Sequence, residues 1–481
     1  MTENYLKKTV LNGIKWSSYS SLVVAVIQFI SVIILALYLE KKEMGEIAII
    51  QSIVGITIIF LDMGISNAVV HKKHITNQQL SSVYWVNIAS GIFFTIIIFF
   101  LAIPIASYYD SIELVKYIQI ISISFLILSV SRLYKFLFIK TIELQKIAIS
   151  EILSYGISFI CLGVFLYLDF KTLAFVYSIL IRSIIQSVYL FIHGLKIFTP
   201  ILIYNHKSLK YLFNYGLFNL GQNLTVYVNS QLDIILIGRL LGIEVLGLYS
   251  VAKVLASKPL QLISPIISKV TFPLMSKVQF ENDKLKSIYL KSVKYIFSIV
   301  LIVYLVMLVE ASDLIHIIYS NKWNDAIVLL QLLTILYIIN AVGNPIGSLI
   351  LASGKVKIGF YWNVMVLFIL PFIIYYSSFY GIKQIIISLI VFQLLSLIFS
   401  YKFITKKILK ISFTELLLPL LYILLLVLPS IFIIIILHNY INNQYIRIIG
   451  LSLIALLIYI LSIYKFNNSY FKEINNNLII K

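Results

Sequence analysis

Charged residues are scarce in this chain of 481 residues. Asp, Glu, Lys and Arg make up 12% of it and hydrophobic residues 61%, whereas soluble proteins have roughly 25% charged residues. Acidic residues are the scarcer kind, because 19 Asp and Glu stand against 38 Lys and Arg. This composition excludes a soluble enzyme, a secreted disulfide scaffold and a disordered chain. We expect the excess cations to lie beside anionic lipid rather than nucleic acid.

Catalytic and metal-binding patterns are also missing. Cys161 is the single cysteine and lies in an apolar run, which excludes a disulfide framework and a cysteine metal site. The six histidines fall in predicted loops or at span ends without an i, i+4 pair, and the sequence contains neither a GxSxG motif nor a P-loop. We therefore expect no enzyme activity, no metal and no cofactor.

Long apolar runs dominate the rest of the chain. A helix needs about 20 apolar residues to cross a hydrocarbon core of about 30 Å. The predicted spans are 14–38, 47–70, 83–107, 117–138, 147–167, 171–192, 212–239, 247–274, 290–312, 325–351, 357–378, 383–401, 415–437 and 446–464. The predicted fold class is an all-α polytopic integral membrane protein with about 14 transmembrane helices.

Lys and Arg alternate between the two sides of this topology. The N-terminal tail and the loops on its side hold 26 of them, and the opposite loops hold 8. Since cytoplasmic loops are enriched in Lys and Arg, the alternation predicts that both termini are cytoplasmic.

An internal repeat appears at an offset of 202 residues. Leu39–Gly45 matches Leu241–Gly247, and the polar positions that follow stay in register. Because the offset covers six spans, the halves have the same orientation, as parallel repeats do. The repeat predicts two pseudo-symmetric six-helix bundles, 1–195 and 196–410, followed by a C-terminal helix pair and tail, 411–481.

A stripe of polar residues follows one face of the eighth span. Its members fall within an arc of about 80° on a helical wheel; they are Ser250, Lys253, Ser257, Gln261, Ser264, Ser268 and Thr271. Polar side chains are unfavourable against lipid, so this face either lines a hydrophilic cavity or packs against other helices. We interpret it as a cavity wall, with helix packing as the alternative.

Charged residues within spans are the strongest site candidates. Lys253 lies on the polar stripe, whereas Lys258 lies off it. Arg182, in the middle of the sixth span, either faces the cavity or pairs with a carboxylate. We predict that Asp233 pairs with Lys253 in the empty state. The predicted cavity residues are Lys253, Arg182, Asp233, Asp62, Gln51, Gln28, Asn223, Gln261 and Ser257.

Several sequence motifs resemble those of a known family. LDMGISNAVVHKKHIT (61–76), DIILIGRLLGIEVLGLYSVAKVL (233–255) and FPLMSKVQ (272–279) are similar to the polysaccharide transporter family. That family belongs to a superfamily that also contains lipid-linked oligosaccharide flippases and multidrug exporters. Within it, the chain most resembles exporters of the colanic-acid or teichuronic-acid type.

The resemblance implies a function. Such a protein flips an undecaprenyl-diphosphate-linked oligosaccharide across the bacterial cytoplasmic membrane, by alternating access of a central cationic cavity, for surface polysaccharide biosynthesis. Lys253 and Arg182 match the cations that bind the diphosphate. Membrane lipids and glycan-assembly proteins are the implied partners, and coupling to a proton or sodium gradient is left open.

Two other functions remain open at this point. One is a drug or organic-cation exporter with the same fold, which would need carboxylates on the cavity faces. The other is a membrane component of a glycan-assembly complex that moves no lipid by itself.

Overall fold

The computed structural model describes residues 3–62, 69, 75–203, 206–438 and 440–466, and the side chains of all of these except 3–10, 62, 206–219 and 466. Over these ranges the secondary structure is helical, without β-strands. The prediction of an all-α membrane protein is confirmed. The chain forms two compact units, Met1–Gly247 and Leu248–Lys481, divided within a long helix. The predicted domain boundaries at 195 and 410 stay a prediction.

Unit 1 contains seven helices and the first residues of an eighth among its described residues. The helices are α1 (Glu3–Tyr38), α2 (Lys41–Asp62), α3 (Asn77–Tyr108), α4 (Glu113–Lys140), α5 (Leu144–Tyr167), α6 (Thr172–Gly194), α7 (His206–Leu240) and α8 (Ile243–Lys277). Local sequence features explain where some of these helices begin and end. Thr76 and Gln79 form a capping box at the start of α3, and Gly242, between α7 and α8, has a φ of +91°.

Unit 2 continues through α8 with further helices. These are α9 (Asn282–Val309), α10 (Ala311–Tyr319), α11 (Ala326–Gly343), α12 (Pro345–Ala352), α13 (Val356–Ser378), α14 (Ile382–Ser400), α15 (Lys406–Leu409), α16 (Phe413–His438) and α17 (Gln444–Phe466). A π-helical turn, Tyr401–Thr405, joins α14 to α15. The apolar core of this unit forms where α9 packs against α11, α16 and α17.

Twelve helical segments of the described chain are long and apolar enough to cross a membrane. The remaining two predicted spans, 212–239 and 247–274, fall on α7 and α8, which are 35 residues long but carry the polar residues noted above. The count of fourteen spans therefore stays a prediction. Large apolar side chains such as Phe100 and Leu425 are exposed. Such exposure is expected of helices that face lipid.

Five helices of unit 1 pack against one another. The α4 helix packs against α3 and α6, and α5 packs against α6 and α1. Small residues allow the close approach: the hydroxyls of Ser131 on α4 and Ser187 on α6 are 2.9 Å apart, and Gly91 on α3 faces Ser129. This packing brings polar faces of α1, α4, α5 and α6 together.

Candidate functional site

A polar cavity of about 200 Å³ lies inside unit 1. Its walls come from α4, α5 and α6, with one residue from α2. The lining residues are Ile58, Leu128, Ser131, Arg132, Lys135, Glu151, Tyr155, Arg182, Ser183, Gln186 and Leu190. Among the described residues in this lining, three are cationic and one is acidic. Charged groups at this position in a membrane helix bundle are unfavourable without polar partners, so they mark a candidate site.

Helical spacing explains why these side chains converge. Arg132 and Lys135 are three residues apart on α4, and Glu151 and Tyr155 are four apart on α5. Residues three or four apart share one face of an α-helix, so each helix presents its pair to the cavity. Arg182 lies ten residues after the start of α6 and twelve before its end. At 1.5 Å per residue it is roughly 15 Å from the nearer end, close to the middle of the span.

Lys135 and Glu151 form an ion pair in this cavity. The Lys135 Nζ lies 3.0 Å from Glu151 Oε1, and both side chains are about a quarter exposed, at 26% and 27%. The other carboxylate oxygen, Oε2, accepts a hydrogen bond of 2.9 Å from the Ser20 hydroxyl on α1. Each oxygen of Glu151 therefore has one donor, and the pair joins α1, α4 and α5.

Arg182 contacts an aromatic ring instead of a carboxylate. Its guanidinium carbon lies 4.8 Å from the centre of the Tyr155 ring, and the Tyr155 hydroxyl accepts a 3.0 Å hydrogen bond from Gln28 Nε2. Over the described part of the chain, no acidic oxygen lies within ion-pair distance of Arg182. The alternative prediction, that Arg182 pairs with a carboxylate, is therefore not observed among the described residues. A guanidinium that stacks on a ring keeps its hydrogen-bond donors available to an anion.

The structure thus brings together two of the predicted site residues, because Arg182 contacts the ring of Tyr155 and Gln28 contacts its hydroxyl. Three others in unit 1 lie elsewhere. Gln51 on α2 and Asn223 on α7 are exposed, and Asp233 on α7 is half-buried, its Oδ1 accepting a 2.9 Å hydrogen bond from the backbone of Ile234. The side chain of Asp62 lies outside the described residues.

The remaining predicted residues belong to α8 in unit 2. Lys253 is half-buried, with its Nζ 5.9 Å from the centre of the Tyr249 ring. Ser257 is buried and donates to the Val254 carbonyl at 3.1 Å, whereas Gln261 is exposed. Ser264, on the same stripe, donates a hydrogen bond to Asn344 at the end of α11. Part of the stripe therefore packs helices together, as the alternative interpretation holds, and the assignment of Lys253 to a cavity stays a prediction.

Sequence reasoning missed Arg132, Lys135, Glu151 and Tyr155. Both cations lie near the end of the predicted span 117–138, where a cation can extend to the membrane surface, but α4 continues to Lys140 and places Lys135 five residues inside the helix. A signal was available, because Glu151 and Tyr155 are one helical turn apart within an apolar span. Their convergence on Lys135 and Arg182 depends on the packing of different helices, which the pattern of a single span does not encode.

A second polar cluster lies in unit 2 and has a structural character. Glu310 and Asp313 are buried, with exposures of 0% and 2%. The Arg447 guanidinium forms an ion pair with Asp313 through two nitrogens, and His438 Nδ1 lies 2.9 Å from Glu310 Oε1. These acidic and histidine side chains are of metal-ligating types, but Arg447 already supplies a positive charge to them. The cluster ties α16 and α17 to α9 and α10.

Unit 2 also contains a cavity of about 370 Å³, which has an apolar lining. Its walls come mainly from α9, α11, α14 and α16, with Tyr289, Ser400, Tyr401 and Thr405 as the few polar residues. Such a lining suits hydrocarbon and offers no charge to an anion. The polar cavity of unit 1 is therefore the better candidate for binding a charged group.

Comparison with solved structures identifies the fold. The chain superimposes on a lipid II flippase, MurJ, in its inward closed conformation with a TM-score of 0.74 and 15% identity, covering 94% of this chain and 99% of that one. An inward-facing multidrug resistance transporter of the MATE family gives a TM-score of 0.68 at 15% identity, over 80% of this chain and 94% of that one. The chain has the multi-pass helical fold of these transporters.

Sequence comparison identifies the family. Residues 34–328 match the family described as polysaccharide biosynthesis protein. The chain is 30% identical over 364 residues to the teichuronic acid biosynthesis protein TuaB of Bacillus subtilis (strain 168), covering 75% of each chain. It is 26% identical over 416 residues to the lipopolysaccharide biosynthesis protein WzxC of Escherichia coli (strain K12), covering 86% of this chain and 85% of that one. The chain belongs to the polysaccharide biosynthesis protein family, and the predicted membership in its exporter branch is confirmed.

Proposed function

We propose that this protein is a flippase that moves an undecaprenyl-diphosphate-linked oligosaccharide across the bacterial cytoplasmic membrane for surface polysaccharide biosynthesis. The observation that carries the proposal is Arg182, a cation in the middle of a membrane span that lines a polar cavity and contacts an aromatic ring. A diphosphate provides several anionic oxygens for such a group. The names of the relatives, TuaB and WzxC, support a role in the biosynthesis of surface glycans.

The cavity suits the head group of this lipid in two ways. Its cations can bind phosphate oxygens, while the amide of Gln186 offers hydrogen bonds to sugar hydroxyls. The prenyl tail can stay in the lipid, because only the polar head needs a hydrophilic path. Two opposite charges about 4 Å apart gain roughly 4 kcal/mol at an effective dielectric constant of 20. That gain is enough to recruit the head group without holding it permanently.

The alternative function is a drug or organic-cation exporter, because a multidrug transporter has a similar fold. An organic cation would need unpaired carboxylates in the cavity. The described lining has one carboxylate, Glu151, and it is already paired with Lys135. The charge of the cavity therefore favours an anionic cargo.

The remaining parts of the proposal are topology, the absence of catalysis and the partners. The alternation of Lys and Arg supports cytoplasmic positions for both termini. Transport by alternating access needs no chemical step on the cargo, so we propose that the protein is not an enzyme. Its cargo is the lipid-linked oligosaccharide, and contacts with glycan-assembly proteins would place it next to the source of that cargo.

Reconstitution tests the proposed function. The purified protein is placed in vesicles that contain an undecaprenyl-diphosphate-linked oligosaccharide, and a membrane-impermeant glycosidase reports how much head group reaches the outer leaflet. We expect exposure of the inner pool to be faster than in protein-free vesicles. Uptake of a fluorescent organic cation, without movement of the glycolipid, would instead support the alternative function, export of organic cations. If neither moves, the protein is a non-transporting component of an assembly complex.

A further inference from the structure

The Lys135–Glu151 pair has an unusual position, because it lies in the cavity that we propose for the head group. An ion pair in that place occupies a cation that the cargo needs. The carboxylate does not rely on Lys135 alone, since Ser20 holds its second oxygen at 2.9 Å. Glu151 can therefore lose contact with Lys135 and still keep one hydrogen bond.

The groups around Glu151 come from every helix packed on this part of α5. Ser20 and Gln28 lie on α1, Arg132 and Lys135 on α4, Arg182 and Gln186 on α6, and Tyr155 on α5 itself. Lys135 is the cation at 3.0 Å, whereas Arg182 stacks on Tyr155. If the Lys135 ammonium is drawn to another anion, Glu151 loses the cation with which it is in direct contact.

Building on the proposed function, we propose that Glu151 is a counter-ion which the cargo's diphosphate displaces from Lys135, and that displaced Glu151 binds one proton from solvent. A phosphate oxygen takes the place of the Glu151 carboxylate at the Lys135 ammonium. The carboxylate then lies in a partly desolvated cavity with a hydroxyl as its donor, and a proton removes its unfavourable charge. No covalent bond of the cargo forms or breaks, and the charge balances through the single proton.

This exchange links cargo binding to proton uptake. By reciprocity, a higher proton concentration strengthens cargo binding to the same extent that the cargo strengthens proton binding. When Glu151 gives up its proton and returns to Lys135, it competes with the diphosphate and promotes release of the cargo. The proton and the cargo therefore bind together and leave together, and Glu151 makes cargo binding depend on pH.

Titration calorimetry tests the exchange directly. A short-chain probe, a farnesyl-diphosphate-linked monosaccharide, is titrated into the detergent-solubilised protein at one pH in two buffers with different ionisation enthalpies. The difference between the two measured enthalpies gives the number of protons taken up. We expect about one proton per bound probe for the parent protein. Glu151→Gln should bind the probe at least as tightly and take up none.

Two further variants make the test specific. Glu143→Gln is the matched control, because Glu143 precedes the same helix but pairs with Lys146 away from the cavity lining; it should keep the proton uptake of the parent. Lys135→Gln removes the cation for which Glu151 and the diphosphate compete, so the probe no longer displaces the carboxylate and the proton uptake falls towards zero. If Glu151→Gln does not fold, Lys135→Gln still tests whether the ion pair controls the proton uptake.

The outcomes separate this inference from the proposed function. Binding of the probe by the parent without proton uptake would overturn the exchange and leave the flippase function standing. Unchanged uptake in Glu151→Gln would overturn the assignment to Glu151. If the parent does not bind the probe at all, the proposed function itself fails.

Discussion

Gly45 and Gly247, which are 202 positions apart and equivalent in the internal repeat, lie in backbone contact. A Cβ atom on Gly247 would lie 3.2 Å from the Gly45 nitrogen and 1.8 Å from the carbonyl oxygen of Lys41. A Cβ atom on Gly45 would lie 2.0 Å from the carbonyl oxygen of Ile243. These distances leave no space for a side chain, so the repeat keeps glycine at both positions because the backbones of α2 and α8 approach each other there.

Alanine at either glycine should destabilise unit 1. We expect Gly45→Ala and Gly247→Ala each to lower the free energy of unfolding by about 1–3 kcal/mol, the usual range for overpacking, or more, since backbone atoms must move. Gly156→Ala on α5 is the control, because its Cβ would meet nothing within 4 Å. The unfolding midpoint in detergent measures the difference. Equal midpoints for all three variants would show that the close approach is absent in solution.

Arg182 should determine affinity for the head group. Arg182→Gln removes the cation that stacks on Tyr155, and we expect the probe's Kd to rise at least tenfold, about 1.4 kcal/mol. Arg182→Lys should be intermediate, because an ammonium keeps the charge but loses the planar fork. Arg239→Gln, which removes an exposed cation paired with Asp110, is the control. A Kd that does not change in Arg182→Gln would remove this residue from the site.

Lys253 should be needed for transport and Lys258 should not. Both are half-buried lysines of α8, five residues apart, but only Lys253 belongs to the polar stripe. We expect Lys253→Gln to abolish polysaccharide export in cells and Lys258→Gln to leave it largely intact at equal protein level. The surface polysaccharide per cell is the readout. Equal tolerance of both substitutions would contradict the assignment of the stripe to the cargo path.

Arg447 should stabilise unit 2 without binding cargo. Its removal leaves the buried carboxylates of Asp313 and Glu310 without their guanidinium. Removal of one partner of a buried ion pair lowers the free energy of unfolding by about 3–5 kcal/mol. Arg447→Gln should therefore strongly lower the unfolding midpoint. Arg239→Gln, an exposed pair, should change the free energy of unfolding by less than about 1 kcal/mol. Weaker binding of the probe by folded Arg447→Gln protein would contradict a purely structural role.

The helical architecture could be predicted from the sequence because membrane spans require long apolar runs. Within the described residues each predicted span falls on one helix or on two consecutive helices, and the match at Gly45 and Gly247 marks a real backbone contact. Glu310 and Asp313 show the limit of such reasoning. Glu310 and Asp313 lie at the end of the predicted span 290–312, a position that by itself favours exposure at the membrane interface. The structure instead pairs them with His438 and Arg447, more than 120 residues further along the chain.

The candidate site was harder to predict, for a similar reason. Arg182 stood out because a cation in mid-span is unfavourable without a function. Lys135 lies three residues before the end of the predicted span 117–138, where a lysine side chain can extend to the membrane surface, so its position alone does not indicate a site. Its significance comes from Glu151 on another helix, and the distance between those two side chains depends on how α4 and α5 pack.

The most direct test of the central claim compares two glycolipids in one assay. Vesicles that contain the purified protein receive either an undecaprenyl-diphosphate-linked oligosaccharide or a neutral prenyl glycolipid that carries the same sugars, and the glycosidase measures flipping of each. If the cationic cavity recognises the diphosphate, the charged lipid flips at least tenfold faster, and Arg182→Gln removes most of that difference. Equal flipping of the charged and neutral lipids by the parent protein would contradict it.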